Sequence, residues 1–324
     1  MALVRARAEQ LREALESAPA DAVAVHRARV ACRRLRAVFG VLSELSGKRA
    51  RESQTEPLSI IRRRFGRIRE LDVHQAGLER LHATSDTPIE QAAIEHAMEY
   101  VARRRRAAER RVGRLQSPSG ARLEAGARKA LEIAWRGKKA GERALAVVAR
   151  RLDAVASRLP CLAEEATVEA ELHALRIDVK RLRYALELLE PALGGTWPGL
   201  IEHTIALQDA LGDWHDLALL EALLQRQLDR LTRRQRAVLS DALAQAVARV
   251  GAARVAARRR LAAAASSDGP FSTAPGQTEA SVESQAPAEV TAAAADAPVE
   301  APPVAPTRRR SPRRTVEEAP EGSA

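Results

Sequence analysis

Aromatic residues are scarce in this chain: three Phe, three Trp and two Tyr make up 2% of 324 residues. Proteins that hold single-stranded nucleic acid by stacking its bases need rows of aromatic faces, so that mode has little to work with. Cysteine is equally rare. Cys32 and Cys161 lack C-x-x-C spacing, and Cys32 falls on an apolar helical face, so both are expected to be reduced packing residues of a cytosolic protein. No apolar run approaches the ~18 residues of a membrane span. The start, M-A-L-V-R-A-R-A-E-Q, has no signal-peptide core, and a cytoplasmic protein off the membrane is expected. Strand-like runs of Val, Ile and Thr are missing, while Leu, Ala, Arg and Glu recur with a 3.6-residue period, which leaves an all-α fold.

Catalytic signatures are missing too. There is no Gly-rich P-loop, no H-E-x-x-H, and no Ser/His/Asp arrangement supported by spacing. Phosphate hydrolysis generally needs carboxylates to hold Mg²⁺, and the candidates near a motif are Asp72, Asp213 and Asp216. Asp72 and Asp216 are expected to pair with arginines instead. The expectation is therefore no enzyme, no cofactor and no metal site.

What the chain does have is positive charge and repetition. The formal charge is +11; from Asp268 onward the tail carries −4, so residues 1–267 hold +15. A polyanionic partner follows naturally. Residues 26–36 read H-R-A-R-V-A-C-R-R-L-R and residues 173–183 read H-A-L-R-I-D-V-K-R-L-R, aligned without a gap at an offset of 147. Each is followed by an echo, F-G-R-I-R-E-L at 65–71 and L-G-D-W-H-D-L at 211–217, at an offset of 146. Two motifs recurring in the same order at nearly one offset indicate an internal duplication.

On a helix at about 100° per residue, His26, Arg29, Arg33 and Arg36 fall within an arc of about 80°. The opposite face collects Ala24, Ala28, Ala31, Cys32, Leu35, Val38, Phe39 and Leu42. The second copy sets His173, Arg176, Lys180 and Arg183 opposite Leu175, Val179, Leu182, Ala185, Leu186 and Leu189. Both helices are half core and half cation. Like charges at i,i+3 and i,i+4 along each stripe cost roughly 0.2–0.5 kcal/mol per pair, so an anion is expected to offset them; the plainer alternative is a solvated basic face paired with Glu from neighbouring helices.

These residues carry a family resemblance. The two H-x-x-R-Φ-x-x-[RK]-R-L-R copies, the second running on through Tyr184 and Glu187, together with G-R-I-R-E-L-D-V (66–73) and L-Q-D-A-L-G-D-W-H-D-L (207–217), resemble the paired signatures of the CHAD family, the conserved-histidine α-helical domain. The resemblance spans roughly residues 1–264. It implies an all-helical duplicated domain whose basic face binds inorganic polyphosphate. Many members also carry an N-terminal CYTH triphosphate-tunnel domain with an E-x-E-x-K signature; the sequence leaves no room for one, so a stand-alone CHAD protein is expected.

Polyphosphate carries about one charge per phosphate and no bases, so it asks for many cations along a groove, and the planar fork of Arg suits phosphate oxygens. The residues assigned to that groove are His26, Arg29, Arg33, Arg34, Arg36 and Arg69 in the first half, and His173, Arg176, Lys180, Arg181, Arg183 and His215 in the second. For His26 and His173 three roles stay open: phosphate contact, metal ligation disfavoured by the surrounding arginines, and a structural hydrogen bond.

The expected organisation is an N-terminal helical half over 1–116, a C-terminal half over 121–265, each a bundle of about four helices, and a disordered tail over 266–324. Helices are expected at 2–17, from Asp21 as N-cap to about Ser46, from about Pro57 to Leu81, from Thr87-Pro88 onward, at 121–139 and 141–159, and in the second motif. Beyond these come the helix of the second echo and a last helix starting near Leu217 or Leu231. The run Arg103–Arg106 with Arg110, Arg111 and Arg114 points in every direction, so only part of it can share a site with the motif stripe. In the tail, Arg308–Arg314 surround a Ser-Pro turn suited to a phosphate backbone or a narrow minor groove. The alternatives to polyphosphate are a nucleoid-associated DNA binder and a metal-binding or scaffold protein, and the expected location is the cytoplasm, at polyphosphate granules or the nucleoid.

Overall fold

A computed structural model describes residues 2–46, 52–113, 115–136, 139–162, 169–194 and 197–266. Among them every regular element is helical: α1 (Ala2–Ser17), α2 (Ala22–Ser46), α3 (Glu52–Ala83), α4 (Pro88–Val112), α5 (Gly120–Ala134), α6 (Ala140–Ala156), α7 (Glu169–Leu189), α8 (Pro198–Arg233) and α9 (Ala237–Ser266), with short 3-10 turns at Leu159–Leu162 and Glu190–Ala192. The tail from residue 267 onward, read from composition as disordered, lies outside the described residues.

The helix starts follow capping chemistry. Asp21 accepts from the amides of Val23 (2.9 Å) and Ala24 (3.2 Å), satisfying donors that the first turn leaves orphaned. Thr87 caps α4 by accepting from Glu90 N at 3.2 Å with Pro88 behind it, and α4 ends at Gly113, whose φ of 64° suits a residue without a Cβ. Two boundaries differ from the sequence reading. α3 begins at Glu52, five residues before Pro57, so the proline lies inside the helix, where it forgoes one intrahelical hydrogen bond near the start of a 32-residue element. α8 runs unbroken from Pro198 to Arg233 through the second echo, and α9 begins only at Ala237, after a turn in which Gln235 takes φ 54°.

The two apolar stripes are buried as their periodicity requires. Ala28, Cys32, Leu35 and Phe39 on α2, and Leu175, Val179, Leu182 and Leu186 on α7, are each 0–1% exposed, and burying one such large side chain stabilises by about 1.5–3 kcal/mol. The halves nevertheless share their cores. One cluster joins α1, α2, the first part of α3 and α5. A second joins Val41 and Leu45 of α2 to α6, α7, the first part of α8 and the end of α9. A third joins the later part of α3, α4, the later part of α8 and α9. At about 1.5 Å per residue, α3 and α8 are about 48 and 54 Å long, too long for one bundle, so each serves two cores with its two ends. Gly77 marks where they cross: a Cβ there would lie 3.1 Å from Leu220 Cδ2. α2 also packs directly on α7, which sets the two motif helices side by side.

Candidate functional site

With their apolar faces in the core, α2 and α7 turn their polar faces outward, and the echo segments of α3 and α8 flank them. On the first copy, Arg29 Nη1 donates to the carbonyl of Arg62 at 2.7 Å, so its guanidinium lies across α3 beside Gly66, where a Cβ would be 3.5 Å away. His26 keeps an exposed edge, but protein crowds its inner side. That lost solvation, followed by the fields of Arg69, Arg33 and Arg29, holds its imidazolium down to a pKa of about 4. On the second copy, the rings of His173 and His215 are 5.7 Å apart. His215 is likewise held down to about 4, first by burial and then by Arg176, His173 and Lys180.

The two copies meet. Burial first, then Arg176, Arg33 and Arg29 among its neighbours, depresses the Lys180 ammonium to about 7, with Asp216 opposing. Arg176 is lowered by burial and by Arg33, again against Asp216. Cations of α2 and α7 therefore stand within electrostatic reach of each other. Among the described residues, Arg29, Arg33, Arg69, Arg176 and Lys180 make no ion pair with a carboxylate, and Arg176 Nε is buried with no hydrogen-bond partner. A donor left unmade in this way costs stability. Asp216 is the carboxylate that faces this cluster: burial raises its pKa, while Arg176, Arg69 and Arg80 act to lower it.

The comparisons with known proteins agree with this architecture. The chain matches the CHAD domain family over residues 2–225. It belongs to that family. Among solved structures it resembles the CHAD domain from the plant Ricinus communis, with a TM-score of 0.59 and 21% identity over 82% of this chain and 90% of that one. Among curated protein sequences no match is found.

Within this CHAD domain the residues chosen from the sequence divide into two groups. His26, Arg29, Arg33, Arg69, His173, Arg176, Lys180 and His215 are brought together. Arg36 lies beside Arg62, which with burial lowers its pKa. Arg183, by contrast, gives its Nε to Glu187 at 2.6 Å. Arg181 is exposed and pairs with Asp178 at 3.2 Å. Arg34 points to a different cavity of about 250 Å³ between α1, α2 and α7, shared with Arg7, Tyr184 and Glu187.

Arg62 was missed by the sequence reading. Its signal was present: it stands seven residues before Arg69, two turns back on the same face of α3. Asp72 does pair with an arginine, accepting from Arg105 Nε at 2.6 Å. No group of three His, Cys, Asp or Glu is placed to hold a metal ion among the described residues. Nor is any described helix long and apolar enough to cross a membrane.

Proposed function

We propose that this CHAD domain binds inorganic polyphosphate in a basic groove shared by the two motif copies, without turning it over. The observation that carries the reading is the mutual field of Arg29 and Arg33 on α2 with Arg176 and Lys180 on α7, in cations that have no carboxylate partner. Such a cluster repels itself until an anion enters, and a chain of phosphates supplies charge at short, regular spacing. The forks of the arginines then make charge-assisted hydrogen bonds to phosphate oxygens. His26 and His215 are neutral in the empty site, and a bound polyanion offsets the arginine field and favours their protonation. Binding without turnover is supported by the carboxylates: Asp72 Oδ1 is taken up by Arg105, and Asp216 stands in the field of Arg176 and Arg69, positive charge that repels a Mg²⁺ ion.

Binding of DNA through the same surface or through Arg308–Arg314 is the second reading, and the arginine segment lies outside the described residues. The domain is proposed to act in the cytoplasm, at polyphosphate granules or the nucleoid. Competition of long polyphosphate, short phosphates and duplex DNA for the protein at fixed salt tests the reading. Long polyphosphate is expected to displace DNA at equal phosphate concentration. Displacement of polyphosphate by DNA instead transfers the function to nucleic acid.

A further inference from the structure

The arginine run of α4 is only partly accounted for by packing. Arg105 turns inward, where Asp72 and Glu109 take its guanidinium. Arg103 pairs with Glu99 at 3.4 Å on the surface. Arg104 and Arg111 do neither. They stand seven residues apart, two turns along one stripe of α4, with Ala107 and Ala108 between them. These small side chains leave a cavity of about 290 Å³ whose other wall is Arg64 and Arg67 of α3.

This cavity is separate from the motif cluster. Arg62 and Arg69 face α2, whereas Arg64 and Arg67 lie roughly 140–200° further around α3 at about 100° per residue. Four arginines from two helices therefore line a depression together with Ala107, Ala108 and Val112. Their compensation is slight. Arg67 gives Nη1 to Glu70 at 2.7 Å, and Arg64 gives Nη1 to the carbonyl of Val112 at 2.7 Å, which leaves the rest of each fork unused. Arg104 leans toward the Tyr100 ring at 5.9 Å, and Arg111 has no ion pair among the described residues.

We propose that this α3–α4 cavity is a second anion site, specific for a compact multiply charged phosphate group of two or three linked phosphates. Two rows of arginine across a shallow cavity present forks from both sides, a geometry that holds adjacent tetrahedral groups by paired hydrogen bonds. The alanines offer nothing for a base to stack on, and the Tyr100 ring is already covered by Arg230 at 4.4 Å. Recognition is thus of the phosphates alone, whether free or as the tail of a nucleotide. The site stands independently of the motif groove.

The test is calorimetric titration of the full chain with tripolyphosphate, comparing wild type with Arg104→Ala/Arg111→Ala, Arg33→Ala/Arg176→Ala and Arg103→Ala/Arg110→Ala. The expected result is at least a tenfold loss of tripolyphosphate affinity in the Arg104/Arg111 variant, a smaller loss in the Arg33/Arg176 variant and no change in the Arg103/Arg110 variant. Wild-type binding by that variant overturns the site, as does an equal loss in the Arg103/Arg110 variant, which attributes binding to diffuse charge. Loss confined to the Arg33/Arg176 variant also overturns it, and leaves the motif groove standing. The four arginines of the two α4 variants are exposed, and Arg104→Lys/Arg111→Lys, which keeps the charge, is expected to recover part of the affinity. ADP and pyrophosphate distinguish the sources: equal competition assigns the phosphate tail of nucleotides, and competition by pyrophosphate alone assigns free oligophosphate.

Discussion

The two motif copies occupy equivalent places in the fold and differ in how their charge is made. In the first, the cations around His26 are Arg29, Arg33, Arg62 and Arg69, all of which stay charged at any physiological pH. In the second, Lys180 replaces Arg33, His215 replaces Arg69, and the acid that follows, Asp216, turns toward Arg176. The matching acid of the first copy, Glu70, pairs with Arg67 at 2.7 Å. One copy is therefore a fixed positive surface, whereas the other carries its own counter-charge and a lysine depressed to about 7. Duplication has kept the spacing of the motifs and let their charge diverge.

The largest expected effect comes from removing the fixed copy. Arg29→Ala/Arg33→Ala should weaken long-polyphosphate binding more than Arg176→Ala/Lys180→Ala, because a charge-assisted bond contributes about 1.5–3 kcal/mol and the second copy is already part-neutralised by Asp216. Roughly tenfold to hundredfold per arginine is expected by titration. Equal losses in the two variants erase the proposed asymmetry.

Next comes pH. Lys180 is charged below about 7 and neutral above it, so wild-type affinity should fall as pH rises from 6 to 8.5, by up to about tenfold if one charged contact of roughly 1.4 kcal/mol is lost. Lys180→Arg should flatten that profile. A wild-type profile already flat places Lys180 outside the ligand's reach.

The same lysine affects folding of the empty protein, with a smaller effect because the group is half-exposed. Its folded pKa lies below the ordinary 10.5, so the unfolded chain binds more protons between about 7 and 10.5, and stability rises with pH across that window. Lys180→Met should remove the rise between pH 7 and pH 9 in denaturant unfolding. The smallest effects are expected at Asp216→Asn, a gain in affinity of a few fold, and at Arg181→Ala or Arg34→Ala, a change under about twofold for groups with other partners or another cavity. A large loss at Arg181 or Arg34 extends the groove beyond the cluster described.

Much of this was legible in the sequence because it is local. The period of 3.6 placed Leu35 and Leu182 in the core, and Asp21 and Thr87 announced their helices by capping chemistry. The offset of 147 predicted that Arg33 and Lys180 occupy equivalent positions. What the sequence obscured depends on contacts between distant segments. A helical wheel puts Arg183 on the same stripe as Arg176, but Glu187 one turn on captures it. Arg34 and Arg181, one residue past the stripe, are rotated by about 100° and find other surroundings. The sharing of cores by α3 and α8 follows from their length, and nothing local to either helix states which partners each end meets.

If one ligand touches both copies, affinity depends on its chain length. Isothermal titration of wild type and Arg176→Ala/Lys180→Ala with long and short polyphosphate reads the bridging, since the second contact on a long chain is made at high effective concentration. The variant is expected to lose far more affinity for the long chain than for the short one, with a shallower salt dependence as fewer counterions are displaced. An equal loss at both lengths contradicts bridging and makes the two stripes separate sites.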